Sequence, residues 1–330
     1  MKFQWVVCSC GLALSGCGLG GARVEFAEAP NVPPYHDPSA PAPFTTWSNF
    51  VAQYTESPSA MRTGVSYTLA GPTITPSANP YYFNNGSEGY PLGTIVRFDA
   101  NRHFRQLSLS QSSYDLPGVG YGDAFVALSG IGEPGFEFGV SPGGSPSPFI
   151  SSANNGPVIV LAANPLTLGW EYQSFGVWDS NSLFGRDITT ATFGAATPAG
   201  SVPTAGTAIF SGKLSGLYVS PSGDGAIAVA NLIVNVNFQS RSLGFASSGT
   251  TLTRDLATTT SAANLNLNGT LGYSPSSNLF AGPLTNAGGT MSGQSTGKFY
   301  GPAGQELGGV FTVRSPTTSE LFSGAYGAKR

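Results

Sequence analysis

GKFYGPAGQELGGVFTV, residues 297–313, is the stretch that decides the fold. Two extended arms flank Gly301, Pro302, Ala303 and Gly304. Glycine there supplies backbone angles closed to other residues and proline presets its own, so these four residues read as a turn. Glu306 follows the turn, and Phe311 and Val313 extend the second arm. The chain then ends in FSGAYGAKR, residues 322–330, which reads as one more alternating strand.

Working outward, the same period of two recurs from about residue 207 onward. Ala208, Phe210, Leu214 and Tyr218 share one face of a strand. Leu232, Val234, Val236 and Phe238 face one way with Asn235 and Asn237 between them. Leu265, Leu267, Leu271 and Tyr273 alternate with Asn264, Asn266 and Thr270. Successive hairpins with one apolar face and no helices need that face covered. Closing the sheet on itself does this economically, and GAYGAKR is then the strand that pairs back to the first. A two-sheet sandwich is the competing solution, and periodicity does not separate the two.

Composition points the same way. Only 9% of the 330 residues are charged, while Gly (45), Pro (25) and 12% aromatics are plentiful, a balance that suits short strands joined by many turns. A net charge of −3 without a basic stripe gives no ground to expect a nucleic-acid partner. After residue 20 no stretch approaches the roughly 18 apolar residues of a membrane-spanning helix.

At the N-terminus, Met1 and Lys2 precede an apolar run, FQWVVCSCGLAL, that closes on Leu14, Ser15, Gly16 and Cys17. Residues 1–16 are predicted to be a signal peptide. The last four residues resemble a bacterial lipobox, which implies cleavage before Cys17, diacylation of its thiol and acylation of its amine. Gly18 in the next position implies sorting to the outer membrane. Cys8 and Cys10 leave with the signal, so no thiol remains for a disulfide, a metal or a nucleophile.

Residues 17–45, rich in Pro and small residues, read as a flexible tether. Trp47, Phe50, Val51 and Tyr54 fall at helical spacing behind Thr46, which predicts a short helix before Pro58. It opens a mostly β domain over 46–204. Within that domain, TIVRF (94–98) and RHFRQLSL (102–109) flank Asp99, Ala100 and Asn101 as a hairpin. Residues 157–163 are a short apolar run, and TLGWEYQSFGVW (167–178) puts Leu168, Trp170, Tyr172 and Trp178 on one parity. The remaining domain spans 205–330.

The C-terminal segments GTAIFSGKLSG, NVNFQSRSLGF, NLNLNGTLGY, GKFYGPAGQELGGVFTV and GAYGAKR occur in an order that resembles the β-barrel of transferrin-binding protein B and its relatives, among them factor H-binding protein and the haemophilins. The resemblance covers about 125 residues, and the Trp170–Trp178 stretch with the linker after Pro198 resembles the end of that family's handle domain. It implies an all-β chain: a small handle followed by an eight-stranded antiparallel up-and-down barrel. It further implies a lipid-tethered protein of the outer-membrane surface, carried there by an outer-membrane translocon. Such proteins bind host iron proteins, haem or complement regulators, often beside a TonB-dependent receptor. Transferrin-binding protein B has two such lobes and this chain one, so transferrin itself is not carried over, and the haemophilins are closer in size.

Candidate chemistry is sparse. Two Gly-x-Ser-x-Gly matches, at Ser141 and Ser295, both follow the only histidines, His36 and His103, whereas a hydrolase needs its histidine later in the chain. Both read as turns. No HExxH, CxxC or calcium-loop spacing is present, so no metal site is expected. Arg97, Arg102, His103 and Arg105 gather charge around one hairpin. The bland reading is a strand histidine among solvated arginines. The sharper one is a haem site on the handle, with His103 as axial ligand and the arginines on the propionates. Tyr81, Tyr82 and Tyr90, with Phe83, would supply aromatic walls or an alternative ligand, or else an exposed loop for protein recognition. Two function classes follow: a non-catalytic capture protein for iron or haem uptake, and a structural or adhesive surface protein. An enzyme lacks a base, a nucleophile and a metal set.

Overall fold

The computed structural model describes residues 51–54, 61–70, 73–76, 81–84, 92–98, 104–111, 126–128, 133–140, 159–182, 185–222, 225–254 and 258–330. Its first part runs β1 (Val51–Tyr54), β2 (Met61–Ala70), β3 (Thr73–Pro76), β4 (Tyr81–Asn84), β5 (Leu92–Phe98), β6 (Phe104–Gln111), β7 (Val126–Leu128), β8 (Phe136–Val140), β9 (Ile159–Ala163), α1 (Pro165–Leu168), β10 (Gln173–Ser182) and β11 (Gly185–Gly194). Strands β1, β5 and β6 form one small sheet. A second sheet has the order β3-β2-β11-β10-β9-β8-β7, with β4 also paired to β2.

Two local expectations are corrected here. Val51–Tyr54 is a strand, not part of a helix, and pairs with Thr94–Arg97. Four apolar positions fit a helical face on paper, but a β-branched and an aromatic residue in so short a run yield to a neighbouring strand. Residues 46–50 lie outside the described residues. Similarly, 167–178 is not one strand. Asn164 caps α1 by accepting from the Leu166 and Thr167 amides, Pro165 opens it, and Gly169 ends it at φ +69°. The strand begins only at Gln173, and Gln173 through Val177 are buried on both faces, so the parity of Leu168, Trp170 and Tyr172 does not mark an inner side of it.

The second part is a barrel: β12 (Thr207–Val219), β13 (Gly225–Asn237), β14 (Ser242–Thr253), β15 (Thr259–Ser261), β16 (Leu267–Tyr273), β17 (Leu279–Asn286), β18 (Ser292–Tyr300), β19 (Glu306–Arg314) and β20 (Leu321–Lys329). Apart from β15, a short addition to β14, each strand pairs with its chain neighbours, and β20 pairs with β12 from Ser211↔Lys329 to Val219↔Leu321. That last ladder closes an eight-stranded antiparallel up-and-down barrel and rules out the sandwich. The hairpin at 297–313 is β18 and β19, turning at Gly301 (φ +83°) and Gly304 (φ +67°), backbone angles that only glycine adopts without strain.

Apolar side chains fill the interior. Phe299, from the GKFYG arm, lies 5.3 Å from Phe280, 5.4 Å from Tyr273, 6.2 Å from Phe238 and 6.4 Å from Phe210, ring centre to ring centre. Phe311 packs edge-on to Phe322, and Phe245 edge-on to Tyr326. Leu265 precedes its strand in a 3₁₀ turn yet still reaches this core. On β13, the outward Asn231, Asn235 and Asn237 are exposed while Leu232, Val234 and Val236 are buried. Uncharged amides and hydroxyls thus wet much of the outer wall, which is how a chain so poor in charge presents a polar surface. Replacing the central ring, Phe299→Ala, is expected to cost about 3–5 kcal/mol of barrel stability. Denaturant unfolding followed by aromatic fluorescence measures it.

Candidate functional site

The residues singled out from sequence divide between two sheets. Arg97 lies on β5 and Arg105 on β6, neighbouring strands of the three-stranded sheet, with Arg97 opposite Gln106. Tyr81 and Tyr82 lie on β4, opposite Gly64 and Thr63 in the other sheet. The hairpin partners β5 and β6 stand as expected, but β6 starts at Phe104. Arg102, His103, Tyr90 and Cys17 lie outside the described residues. Ser295 is not in a turn: it sits within β18 inside the barrel, where its hydroxyl meets Tyr326 Oη at 2.7 Å and the Val310 carbonyl at 3.0 Å. Among the described residues no three His, Cys, Asp or Glu side chains come together as a metal site.

What the structure does build is a junction between the large handle sheet and one side of the barrel. Outward-facing Leu217, Val219, Ile227, Val229, Val310, Leu321 and Ala325 pack against Phe136, Leu161, Trp170, Phe175 and Val177. Strands β19 and β20 are therefore buried on both faces. The side chain of Gln173 lies directly on Gly308 and Gly327. A Cβ at 327 would come within 2.2 Å of the Gln173 amide, and one at 308 within 2.5 Å of Thr192 Oγ1. The handle can approach this closely only because these two wall positions carry no side chain.

Polar contacts fix the edge of the junction. The Glu306 carboxylate, 2% exposed, accepts the backbone N–H groups of Glu171 (2.6 Å), Tyr172 (2.9 Å) and Gln173 (3.0 Å). Lys329 Nζ donates to the Gly169 carbonyl at 2.6 Å, and Lys213 pairs with Glu133 at 3.6 Å. The turn at 301–305 also holds the chain leaving the handle: Gly301 N–H donates to the Ala195 carbonyl, Thr197 Oγ1 to the Gly301 carbonyl, and Tyr300 Oη to Thr192 Oγ1. Entry into and exit from the last handle hairpin are thus pinned by one barrel turn.

Burial also perturbs the charges here. Desolvation pushes the Glu306 carboxyl up to about 7, against the pull of its three N–H donors and with help from nearby Glu171. Desolvation alone brings the Lys298 ammonium down to about 8. The Tyr172 hydroxyl is raised, by partial burial first and then by Glu171 and Glu306. The amide of Gln173 and the hydroxyl of Thr190 are buried without a hydrogen-bond partner. Of these residues the sequence singles out only Tyr172, by its parity with Trp170, and Glu306, as the residue after the turn, neither of them as a site. A lone acid between a Gly-Pro turn and an apolar run, in a chain with so few charges, was the available signal.

Comparison with known proteins adds one match by family. Residues 202–330 match the family model described as the C-lobe and N-lobe beta barrels of Tf-binding protein B, so over that span the chain is transferrin-binding protein B-like. No curated protein matches the chain. Solved structures similar to it include the vaccine antigen transferrin-binding protein B of Haemophilus parasuis, as a single-substitution variant, at 12% identity and a TM-score of 0.38 over 88% of this chain and 76% of that one. Intact Ap-TbpB, with N and C lobes, gives 10% and 0.36 over 84% and 78%. The isotype 1 protein of serogroup B Neisseria meningitidis gives 16% and 0.35 over 80% and 58%.

The docking surface makes its own prediction. Gly327→Val places methyls where the Gln173 amide lies, an overpacking expected to cost about 1–3 kcal/mol at the junction. Limited proteolysis of the full chain should then cut near residues 169–197 faster than in the wild type. Unchanged cutting there would show that the contact does not hold the handle.

Proposed function

We propose that the chain is a lipid-anchored surface protein that captures an iron- or haem-carrying partner for nutrient uptake and catalyses nothing. The observation that carries this reading is the match of residues 202–330 to the transferrin-binding protein B barrels. The packed interior supports it in a second way. With Phe210, Phe238, Phe280 and Phe299 filling the barrel, the barrel serves as scaffold and recognition falls to the handle. Ser295 is engaged inside the wall, which speaks against a hydrolase built on its glycine-flanked motif.

In this reading residues 1–16 are removed, Cys17 carries lipid, 17–45 form the tether, 46–204 the handle and 205–330 the barrel. A TonB-dependent receptor would receive the cargo, and an outer-membrane translocon would deliver the protein to the surface. His103, Arg97, Arg102 and Arg105 form the candidate haem site, an imidazole for iron and guanidinium groups for the propionates. Tyr81, Tyr82 and Tyr90 are the candidate aromatic contacts.

Two measurements test these proposals separately. Titrating the purified protein with haemin is expected to shift the Soret band, and the shift should be lost in His103→Ala. No shift, or one unchanged in His103→Ala and Tyr82→Phe, overturns the haem site. Growth with a labelled fatty acid is expected to label the wild-type protein and not Cys17→Ser. Label that persists in the variant overturns the anchor.

A further inference from the structure

Around Gly308 the seam between handle and barrel gathers polar groups that are buried and unpaired. Gln173 and Thr190 have no exposed surface, and Gln173 Oε1, Gln173 Nε2 and Thr190 Oγ1 make no hydrogen bond. Each such group forfeits the water it left, a cost that a bound partner recovers. Gln173 and Thr192 lie directly on the glycine floor. A Cβ built at Gly308 would stand 2.5 Å from Thr192 Oγ1 and 2.9 Å from Gln173 Oε1. Thr190, two residues from Thr192 on β11, shares its face. With neither amide atom engaged, the Gln173 side chain is free to turn its NH2 group toward either glycine.

Lys298 brings a charge to the same floor. It pairs with Gly308 across β18 and β19, and because the neighbouring Phe299 fills the barrel, Lys298 points outward, under the handle. Directly paired residues hold their Cβ positions about 5 Å apart, so its stem starts at the edge of the floor. The residue is only 2% exposed, and among the described residues no hydrogen bond or ion pair reaches its ammonium. The described acids of the junction are engaged elsewhere: Glu306 on three backbone N–H groups, Glu133 on Lys213 and Glu137 on Asn164, while Glu171 stands in solvent. Burial lowers Lys298 only to about 8, so at neutral pH the ammonium keeps its charge. A cation withdrawn from water without a counter-charge is costly.

We propose that this seam binds one small monovalent anion of the halide class, held by the Lys298 ammonium with the Gln173 amide and the Thr190 hydroxyl as neutral donors. One positive charge with N–H and O–H groups and no free carboxylate matches a single negative charge and repels a cation. Size follows from the floor: handle atoms lie so close to Gly308 and Gly327 that not even a methyl fits there, which leaves no room for a larger oxyanion. Leu279, opposite Lys298 on β17, is half-buried, so solvent and the route for an ion lie one strand away. The anion thereby joins β18 of the barrel to β10 and β11 of the handle.

Thermal unfolding of the purified full chain tests this, with sodium bromide replacing sodium gluconate at constant ionic strength. Bromide is expected to raise the wild-type midpoint by about 2 °C or more relative to Lys298→Met, which keeps the length of the stem and removes the charge. An equal response in the two proteins overturns the site. If the variant does not fold, wild-type crystals soaked in bromide decide. An anomalous bromide peak in contact with Lys298 Nζ supports the proposal, and a seam that holds only water overturns it.

Discussion

Everything in the second half of the chain hangs on the ladder between β12 and β20. Seven of the eight strand pairings join chain neighbours and form as local hairpins. The eighth joins Ser211–Val219 to Leu321–Lys329, across more than a hundred residues. Once it forms, the sheet has no free edge except the short β15, and its inner face becomes a closed volume. The aromatic cluster around Phe299 then has to fill that volume, because a void there would forfeit contacts on every side. A barrel filled in this way has stiffness rather than capacity, which suits a scaffold.

Closure also puts the last residues to work. Because β20 lies between β12 and β19, Lys329 comes to stand opposite Glu306, and Arg330 beside the 301–305 turn. One end of the barrel thereby gathers a carboxylate, an ammonium, a guanidinium and several carbonyls at the place where the handle enters and leaves. The outer wall beside it is cleared of side chains at Gly308 and Gly327, so that Gln173 can lie flat on the strands. Among the described residues, handle and barrel are joined by shape and by hydrogen bonds to the backbone more than by charge pairs such as Lys213–Glu133. This is how a chain with 9% charged residues can hold two parts together.

Legibility from the sequence followed solvent. Where one face of a strand meets water, as in β13 and β16, Asn and Thr alternate with Leu and Val, and the period of two is plain. Where both faces are buried, as in β19 and β20, glycines, small residues and apolar residues stand on both sides, so the spacing marks a strand without telling which face the barrel interior takes. The same cause misplaced the start of β10. Gln173 through Val177 are buried on both sides, so their parity carried no information, and the aromatic Trp170 and Tyr172 supplied a false one. Asn164, Pro165 and Gly169 spell out a one-turn helix by their capping chemistry, but four residues are too few to raise a periodic signal.

By itself the sequence determined that the C-terminal half is a run of antiparallel strands with one apolar face and that its late hairpin turns at Gly301–Gly304. These are local properties, written in the spacing of side chains and in the angles glycine and proline permit. Only the tertiary structure decided that the sheet closes on itself, that Glu306 faces outward into the handle, and that two glycines make the seat for Gln173. Those facts depend on which distant segments meet, and contact between residues 171 and 306 leaves no periodic trace in the chain because it is fixed by the closure of the barrel, not by its neighbours in sequence.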